Sequence, residues 1–278
     1  MNLTERLAQA EIPANPSWLG MVPVEDTELA VTDTGGSGIP VVYLNGSYAS
    51  QRHWRPIIAD LGSGWRHITY DERARGKSKA SSDYSFEATI RDLDAVLAAR
   101  RVNRPVLLVG WSYGAAIALH WGTRNPERIA GAVSVDGAYP YDAFAGGDIT
   151  PDYIRKLFRK LGLLLPIARL FGNAARMSAA QHAEINIEIN QILARGEPIL
   201  ERVSFPFLFV VAKGDHLGAP KGSVDRVRAS LTPLLARNAH LQVSARVDSN
   251  HETVMRKDYR AIAEAVRKTA ATHSQRVG

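Results

Sequence analysis

The sequence contains no cysteine, which excludes disulfide bonds, thiolate metal sites and a cysteine nucleophile. It also lacks long apolar runs: the most apolar stretch, Leu161 to Ile167, is short and interrupted by glycine and proline, so no membrane-spanning helix is predicted. Its first residues mix acids and amides where a secretory signal would have a basic end and an apolar run. We therefore expect a cytoplasmic protein.

The chain has 278 residues, of which 45% are hydrophobic and 22% charged, enough for one large α/β domain with a small insertion. The net charge of +6 is scattered along the sequence, and no nucleic-acid-binding motif accompanies it. We therefore expect a small-molecule substrate as the partner, with neither nucleic acid nor membrane, and leave a homodimer open.

Patterns typical of strands and helices alternate along the chain. Strands are predicted near residues 28–34, 40–44, 65–70, 106–109, 129–135, 205–211 and 241–247, and helices near 51–61, 86–97, 113–124, 221–237 and 257–271. This alternation implies parallel crossovers and a sheet covered on both faces. The predicted fold class is α/β, with a mostly parallel, doubly wound sheet.

The alternation stops between residues 138 and 203, where only helical starts are found. Thr150 followed by Pro151 is typical of a helix N-cap, and residues 178–181 have the pattern of a capping box. We predict that 138–203 form a helical cap inserted into an α/β core made of residues 1–137 and 204–278.

Ser112 is the predicted nucleophile. The apolar strand 106–109 leads into Gly110-Trp111-Ser112-Tyr113-Gly114, and helix-forming residues 115–119 follow. In this strand-to-helix setting, a G-x-S-x-G pattern indicates a nucleophile elbow, where the two glycines let the neighbouring backbone pass and the serine hydroxyl is exposed above the sheet.

A serine hydroxyl needs a base to remove its proton and a carboxylate to orient that base. His251 lies just beyond the last predicted strand, at the edge of the sheet that carries Ser112, and is the predicted base. Asp215, which follows the strand before it, is the favoured carboxylate because the order Ser, acid, His fits this architecture. Asp136, at the end of strand 129–135, is its rival.

A tetrahedral intermediate also needs donors for its oxyanion. We expect one from the backbone NH of Tyr113, directly after the nucleophile. The second is expected from the turn after Leu44, as the NH of Ser47.

With these residues, the chain resembles an α/β-hydrolase of the esterase, lactonase and C–C hydrolase type. The resemblance extends from about Val22 to the C-terminus. Residues 71–78, Asp-Glu-Arg-Ala-Arg-Gly-Lys-Ser, are similar to the D-x-R-G-x-G-x-S turn of that family. The sequence departs from the pattern at Asn45, where the family has a histidine, and at Ala74 and Ala212, where it has glycines. The resemblance implies a Ser-Asp-His triad, an oxyanion hole and a cap.

The expected reaction is hydrolysis of a carboxylic ester, thioester or lactone without a cofactor or metal. Branches that use an aspartate nucleophile, the epoxide hydrolases and haloalkane dehalogenases, are disfavoured by serine at position 112. Aromatic residues near the elbow and cap predict a moderately large apolar or aromatic substrate. The predicted substrate-binding residues are Asn45, Gly46, Tyr48, Trp111, Tyr139 and Tyr141. Two alternatives stay open: non-hydrolytic chemistry at the same triad, such as C–C cleavage, lyase action or cyclisation, and a small-molecule receptor.

Overall fold

The protein is an α/β fold built on one eight-stranded, mostly parallel sheet, in a computed structural model that describes residues 16–145, 149–162, 175–214 and 223–277. The strands follow the order β1-β2-β4-β3-β5-β6-β7-β8 across the sheet. Their bounds are β1 Trp18–Val24, β2 Thr27–Asp33, β3 Ile39–Leu44, β4 Trp65–Tyr70, β5 Val106–Trp111, β6 Ile129–Val135, β7 Phe207–Ala212 and β8 Leu241–Val247. The predicted fold class is confirmed.

One strand, β2, runs opposite to the other seven. The hairpin β1–β2 is antiparallel, and β2 also pairs antiparallel with β4. From β4 through β3, β5, β6 and β7 to β8 every pairing is parallel. The carboxyl ends of six strands therefore meet at one edge of the sheet, where ligands bind in open α/β folds.

Helices cover both faces of the sheet in the described part of the chain. They are α1 Arg55–Leu61, α2 Phe86–Ala99, α3 Tyr113–Arg124, α4 Pro151–Leu161, α5 Ala179–Ala194, α6 Glu197–Glu201, α7 Ser223–Ala229, α8 Thr232–Arg237, α9 Val254–Lys257 and α10 Tyr259–Val277. Alternate residues of the central strands point to opposite faces of the sheet and belong to two apolar cores. Val42 and Leu108 pack with α2 and α3 on one face, whereas Val41 and Leu107 pack with α1 and α10 on the other. Burial on both faces explains why these strands are almost wholly apolar.

Helices α4, α5 and α6 all lie between β6 and β7, in the segment predicted as the cap. Thr150 caps α4, its Oγ1 accepting a hydrogen bond from the Tyr153 NH at 3.1 Å, and Pro151 opens the helix. The capping box of α5 is present, with reciprocal bonds between Ser178 and Gln181. Both predicted helix starts are confirmed.

The first strand was not predicted. The first strand predicted from the sequence begins near residue 28, but Trp18–Val24 also form a strand, which pairs with β2 along its whole length. The strand contains Gly20 and Pro23, which weaken a strand pattern, and it is an edge strand whose exposed residues alternate with buried ones only at its end. Pairing with β2, rather than local sequence preference, holds it in place.

Candidate active site

Ser112 occupies a strained turn between β5 and α3. Its backbone has φ of +55° and ψ of −112°, a combination that L-residues rarely adopt. The Ser112 NH donates to the Val135 carbonyl at 3.0 Å, and the Ser112 carbonyl accepts from Ala115 at 3.0 Å. The surrounding hydrogen bonds therefore hold the nucleophile elbow that the sequence predicts.

Both glycines of the elbow are required by close packing. A Cβ at Gly110 would overlap the carbonyl of Gly114, and a Cβ at Gly114 would overlap the Leu44 carbonyl and lie 2.9 Å from that of Asn45. The start of α3 thus passes directly against the end of β3, where the turn after Leu44 begins.

Replacing Gly114 by alanine should lower the free energy of unfolding by about 1–3 kcal/mol, because the new methyl group has no space beside the Leu44 carbonyl. Urea denaturation measures the change. Gly64→Ala is the matched control, since nothing lies within 4 Å of a Cβ at that position. Equal losses in the two variants would contradict the close contact.

The turn after β3, residues 45–49, lies against Ser112. Ala49 NH donates to the Gly46 carbonyl at 2.9 Å, which closes the turn. A Cβ at Gly46 would lie 3.2 Å from the Trp111 ring and 3.5 Å from the Ser112 Cβ. We call residues 45–49 the oxyanion turn, because they contain Ser47, one of the two predicted oxyanion donors.

The two amides predicted to form the oxyanion hole are on neighbouring elements. Tyr113 is the first residue of α3, where a backbone NH has no acceptor within its own helix. Neither the Ser47 NH nor the Tyr113 NH donates to another residue in the described ranges. The geometry is compatible with two donors facing a substrate oxygen near Ser112.

His251 is held by Asp136. The imidazole Nδ1 lies 2.9 Å from Asp136 Oδ2, and the Asp136 side chain is fully buried whereas that of His251 is 23% exposed. Asp136 Oδ1 accepts from the Tyr139 hydroxyl at 2.8 Å and from the Ala212 NH at 3.3 Å. Asp136 itself has φ of +44° and bonds through its NH to Val210. Burial and these donors hold the Asp136 carboxylate in place, so that Oδ2 stays within hydrogen-bond distance of His251 Nδ1.

The choice between the two predicted carboxylates stays a prediction, because only Asp136 lies within the described residues. Asp215 was favoured and Asp136 was its rival, but Asp136 makes the hydrogen bond to Nδ1. Asp215 lies outside the described residues. Both aspartates follow strands that end at the same edge of the sheet, and the chain order Ser, Asp, His fits either, so sequence order could not separate them.

The side chains of Tyr139, a predicted substrate-binding residue, and of Tyr113 are both buried behind the site. Tyr139 is 8% exposed and donates to Asp136, so its hydroxyl orients the carboxylate. The Tyr113 side chain is 4% exposed and packs edge-on against Phe86 in the core below α3. Only the backbone NH of Tyr113 remains available to a substrate.

Asn45 is also a supporting residue. Its side chain is fully buried, Nδ2 donates to the Tyr70 carbonyl at 2.7 Å and to Glu72 Oε2 at 2.8 Å, and Oδ1 accepts from Trp54 Nε1 at 2.7 Å. An asparagine amide has two donor hydrogens, and both are used here. The structure does not support the expectation that this side chain binds substrate.

Tyr48 and Trp111 are placed more as expected. Trp111 is half-buried, with its ring 5.7 Å from the His251 ring and 5.9 Å from that of His53. Tyr48 is 40% exposed and reaches α5, where its hydroxyl accepts from Asn186 at 2.9 Å. Tyr141 is half-buried after β6, with its NH bonded to the Tyr139 carbonyl.

A sequence profile described as the alpha/beta hydrolase fold matches residues 39–191, more than half of the chain. The chain belongs to the α/β-hydrolase family. A curated relative, a haloalkane dehalogenase of Mesorhizobium japonicum, is 33% identical over 141 residues, which are 50% of this chain and 45% of that protein. The chain thus spans less than half the length of the curated relatives it matches.

Solved structures resemble this α/β-hydrolase over most of its length. A thermophilic esterase from Thermogutta terrifontis has a TM-score of 0.67 at 18% identity and covers 93% of this chain and 99% of its own. The haloalkane dehalogenase DatA from Agrobacterium tumefaciens has a TM-score of 0.66 at 20% identity and covers 93% and 97%. At these identities the likeness shows the fold alone.

A separate cleft of about 550 Å³ opens between the start of α2 and α5 of this α/β-hydrolase. Residues lining it include Tyr84, Ser85, Glu184 and Glu188, and none of the predicted site residues is among them. Glu188 also accepts the Phe86 NH at 2.9 Å, which joins α5 to the start of α2. The cleft therefore belongs to the junction of these helices and not to the edge of the sheet that carries Ser112.

No group of three or more His, Cys, Asp or Glu side chains in the described ranges is arranged to hold a metal ion. Among the helices of that same part of the chain, none is long and apolar enough to cross a membrane.

Proposed function

We propose that this α/β-hydrolase is a serine hydrolase that cleaves a carboxylic ester, thioester or lactone through an acyl-Ser112 intermediate. The observation that carries the proposal is the hydrogen bond of 2.9 Å between buried Asp136 and His251, at the sheet edge where the strained elbow presents Ser112. A buried carboxylate on Nδ1 leaves Nε2 of a neutral imidazole as the base.

The first half-reaction forms the acyl-enzyme. His251 Nε2 accepts the proton of the Ser112 hydroxyl while Oγ bonds to the substrate carbonyl carbon. The carbonyl π electrons move to oxygen, where the backbone NH groups of Ser47 and Tyr113 stabilise the charge. Collapse of the tetrahedral intermediate breaks the bond to the alcohol, thiol or ring oxygen, and the imidazolium returns its proton to that leaving group.

The second half-reaction consumes water. His251 Nε2 removes a proton from water, whose oxygen attacks the acyl carbon, and the same two amides hold the second oxyanion. Collapse breaks the bond to Ser112 Oγ, which recovers its proton from His251. Asp136 stays ionised throughout and stabilises the imidazolium that forms in each half.

The substrate proposed is a moderately large apolar or aromatic small molecule. Trp111, Tyr48 and Tyr141 are the aromatic side chains of the site segments that keep some exposure, whereas Tyr113 and Tyr139 are buried. Residues 138–203 would act as the cap over this surface. Tyr48 supports that role, because it contacts Asn186 of α5 and its ring lies 5.5 Å from that of His182.

Serine at position 112 separates this proposal from dehalogenation. An alkyl-enzyme ester requires a carboxylate nucleophile, and a hydroxyl at the elbow instead forms acyl esters with carbonyl substrates. The relative from Mesorhizobium japonicum bears the name of a dehalogenase. A halide-release assay with haloalkanes is expected to give no turnover.

The test is labelling with a fluorophosphonate, with the modified peptide identified by mass spectrometry, followed by a chain-length series of nitrophenyl esters. We expect phosphonylation of Ser112 and turnover that depends on acyl length. Failure of the folded protein to react would overturn the proposed nucleophile. Turnover of a true substrate without any acyl-Ser112 species would favour non-hydrolytic chemistry, and stoichiometric binding without turnover would favour a receptor.

Tyr139→Phe should lower kcat about 10-fold, because Asp136 Oδ1 loses its hydroxyl donor while the ring and its packing remain. A hydrogen bond to a charged group contributes about 1.5–3 kcal/mol. Steady-state kinetics on the best nitrophenyl ester measure the loss. Tyr153→Phe removes an exposed hydroxyl from α4 and is the control. Unchanged kcat in Tyr139→Phe would show that Asp136 needs no help from this hydroxyl.

A further inference from the structure

Three successive residues of the oxyanion turn each have a backbone group held by a hydrogen bond. Glu72 binds the NH of Asn45, Ala49 binds the carbonyl of Gly46, and Arg75 Nε binds the carbonyl of Ser47 at 2.6 Å. The Gly46 carbonyl and the Ser47 NH belong to the same planar peptide unit, so the direction of one fixes the direction of the other. The anchors therefore determine where the Ser47 NH points.

Glu72 is the least expected of these anchors. It follows β4 within residues 71–78, is 1% exposed, and has no part in the triad. Its Oε1 accepts from the Asn45 backbone NH at 3.0 Å, and its Oε2 accepts from Asn45 Nδ2 at 2.8 Å. One carboxylate thus binds both the backbone and the side chain of the first residue of the oxyanion turn.

These two contacts favour an ionised carboxylate. Both groups of Asn45 that face Glu72 are donors, and the second Nδ2 hydrogen is already used by the Tyr70 carbonyl. An ionised carboxylate accepts at both oxygens, whereas a protonated acid or a glutamine amide presents a donor at one of them. If Glu72 were neutral, one of its two contacts with Asn45 would therefore be weakened, because a donor hydrogen on residue 72 would compete with the donor of Asn45.

We infer that Glu72 is a positioning residue for catalysis, whose negative charge holds the oxyanion turn so that the Ser47 NH faces the developing oxyanion. The inference rests on the proposed function, because it concerns the same oxyanion hole. Glu72 touches neither substrate nor reacting atoms, and it acts through Asn45.

The charge of Glu72 changes within the working range of pH. Burial raises its pKa to about 7, against the opposing effects of Arg75 and of the hydrogen bonds from Asn45. The other titratable groups that it faces are Tyr70 of β4 and Tyr113 of α3, both of which stay neutral because burial raises their pKa values. Protonation near neutral pH would thus weaken the anchor of the turn.

Glu72→Gln tests the inference through the pH dependence of a rate ratio. The amide of this variant is neutral at every pH, whereas the wild type gains its anchor as pH rises. We expect the wild-type kcat to exceed that of the variant about 30-fold at about pH 8.5 and about 2-fold at about pH 5.5, since misplacing an oxyanion donor costs up to about 10²-fold. Any pH effect that the two proteins share cancels in the ratio. Because an oxyanion forms only in the transition state, kcat and kcat/KM should fall together.

Asp33→Asn is the matched control. Asp33 is another buried carboxylate, paired with Arg66 at 2.7 Å and Arg100 at 2.9 Å, and it lies at the end of β2 away from the elbow. The ratio of wild-type kcat to that of Asp33→Asn should be near 1 at every pH, when kcat is calculated for the folded fraction of the variant. A Glu72→Gln ratio that is near 1, or that does not change with pH, would overturn the inference.

A second measurement needs neither activity nor a folded variant at position 72. In the His251→Ala protein, the amide nitrogen and proton shifts of Ser47 should titrate with a midpoint near pH 7. Ser47 chemical shifts that do not change with pH would overturn the proposed role of Glu72. Absence of fluorophosphonate labelling in the wild type would instead remove the proposed function, so the two failures can be told apart.

Discussion

Ser112→Ala should lower kcat by about 10⁶-fold on any ester that the wild type cleaves, because the variant retains the amides and the base but has no oxygen to acylate. The substitution removes one hydroxyl from an elbow whose backbone is fixed by hydrogen bonds at Val135 and Ala115, so the fold should be unaffected. Esterase assays and thermal unfolding measure the two effects separately.

Ser63→Ala provides the comparison for that loss. Ser63 is exposed in the turn before β4, at the amino edge of the sheet and away from the elbow. Its kcat should equal that of the wild type. If Ser112→Ala retained more than about one hundredth of wild-type turnover, acyl transfer through Ser112 would be wrong.

Asp136→Asn should lower kcat by about 10⁴-fold. An amide at Oδ2 would present either a donor or a neutral acceptor to Nδ1, so the imidazole would lose its preferred tautomer and its counter-charge. The buried Tyr139 and Ala212 contacts leave little freedom for the side chain to turn away. Single-turnover kinetics with a nitrophenyl ester would show a slow acylation step.

Asp215→Asn is the decisive partner of that experiment. We expect it to reduce kcat by less than about 10-fold, since Asp136 makes the hydrogen bond to His251. The reverse result, a large loss at position 215 and a small one at 136, would confirm the sequence-based preference for Asp215 and reject Asp136 as the acid.

Local sequence was sufficient for most of the fold. β4, β6 and β8 have the predicted bounds, and α3 ends at Arg124 as predicted, because apolar runs and the Asn125-Pro126 stop are strong local signals. Prediction failed where a neighbour decides the conformation. Trp18–Val24 is a strand because β2 lies beside it, and residues 221–237, predicted as one helix, contain two, α7 and α8, with Pro233 near the start of the second.

The site was predictable to the level of segments but not of side-chain direction. Ser112 and the turn at Ser47 follow from strand ends that meet at one edge. Nearness in sequence to the nucleophile did not reveal that the Tyr113 ring enters the core or that Tyr139 supports Asp136. Those directions depend on tertiary packing, which the hydrophobic periodicity of the sequence does not predict.

Glu72 was missed as a functional residue, although a signal was present. The sequence departs from the family at Asn45, where an imidazole is replaced by an amide, and an acidic residue follows the adjacent strand β4. Asn45 in the loop after β3 and the carboxylate of Glu72 in the loop after β4 together indicate a contact between the two loops. Neither residue indicates this contact alone. The pairing of β3 with β4 brings the two together.

The anchoring of Arg176 has a consequence for protein engineering. Arg176 lies between β6 and β7, and its NH donates to the Ala74 carbonyl at 2.8 Å while its guanidinium binds the carbonyls of Gly76 and Ser78. The same loop carries Arg75, which binds the oxyanion turn. Grafting a foreign segment in place of 138–203 to change substrate preference would therefore also alter turnover, unless the chimera keeps an arginine at this junction.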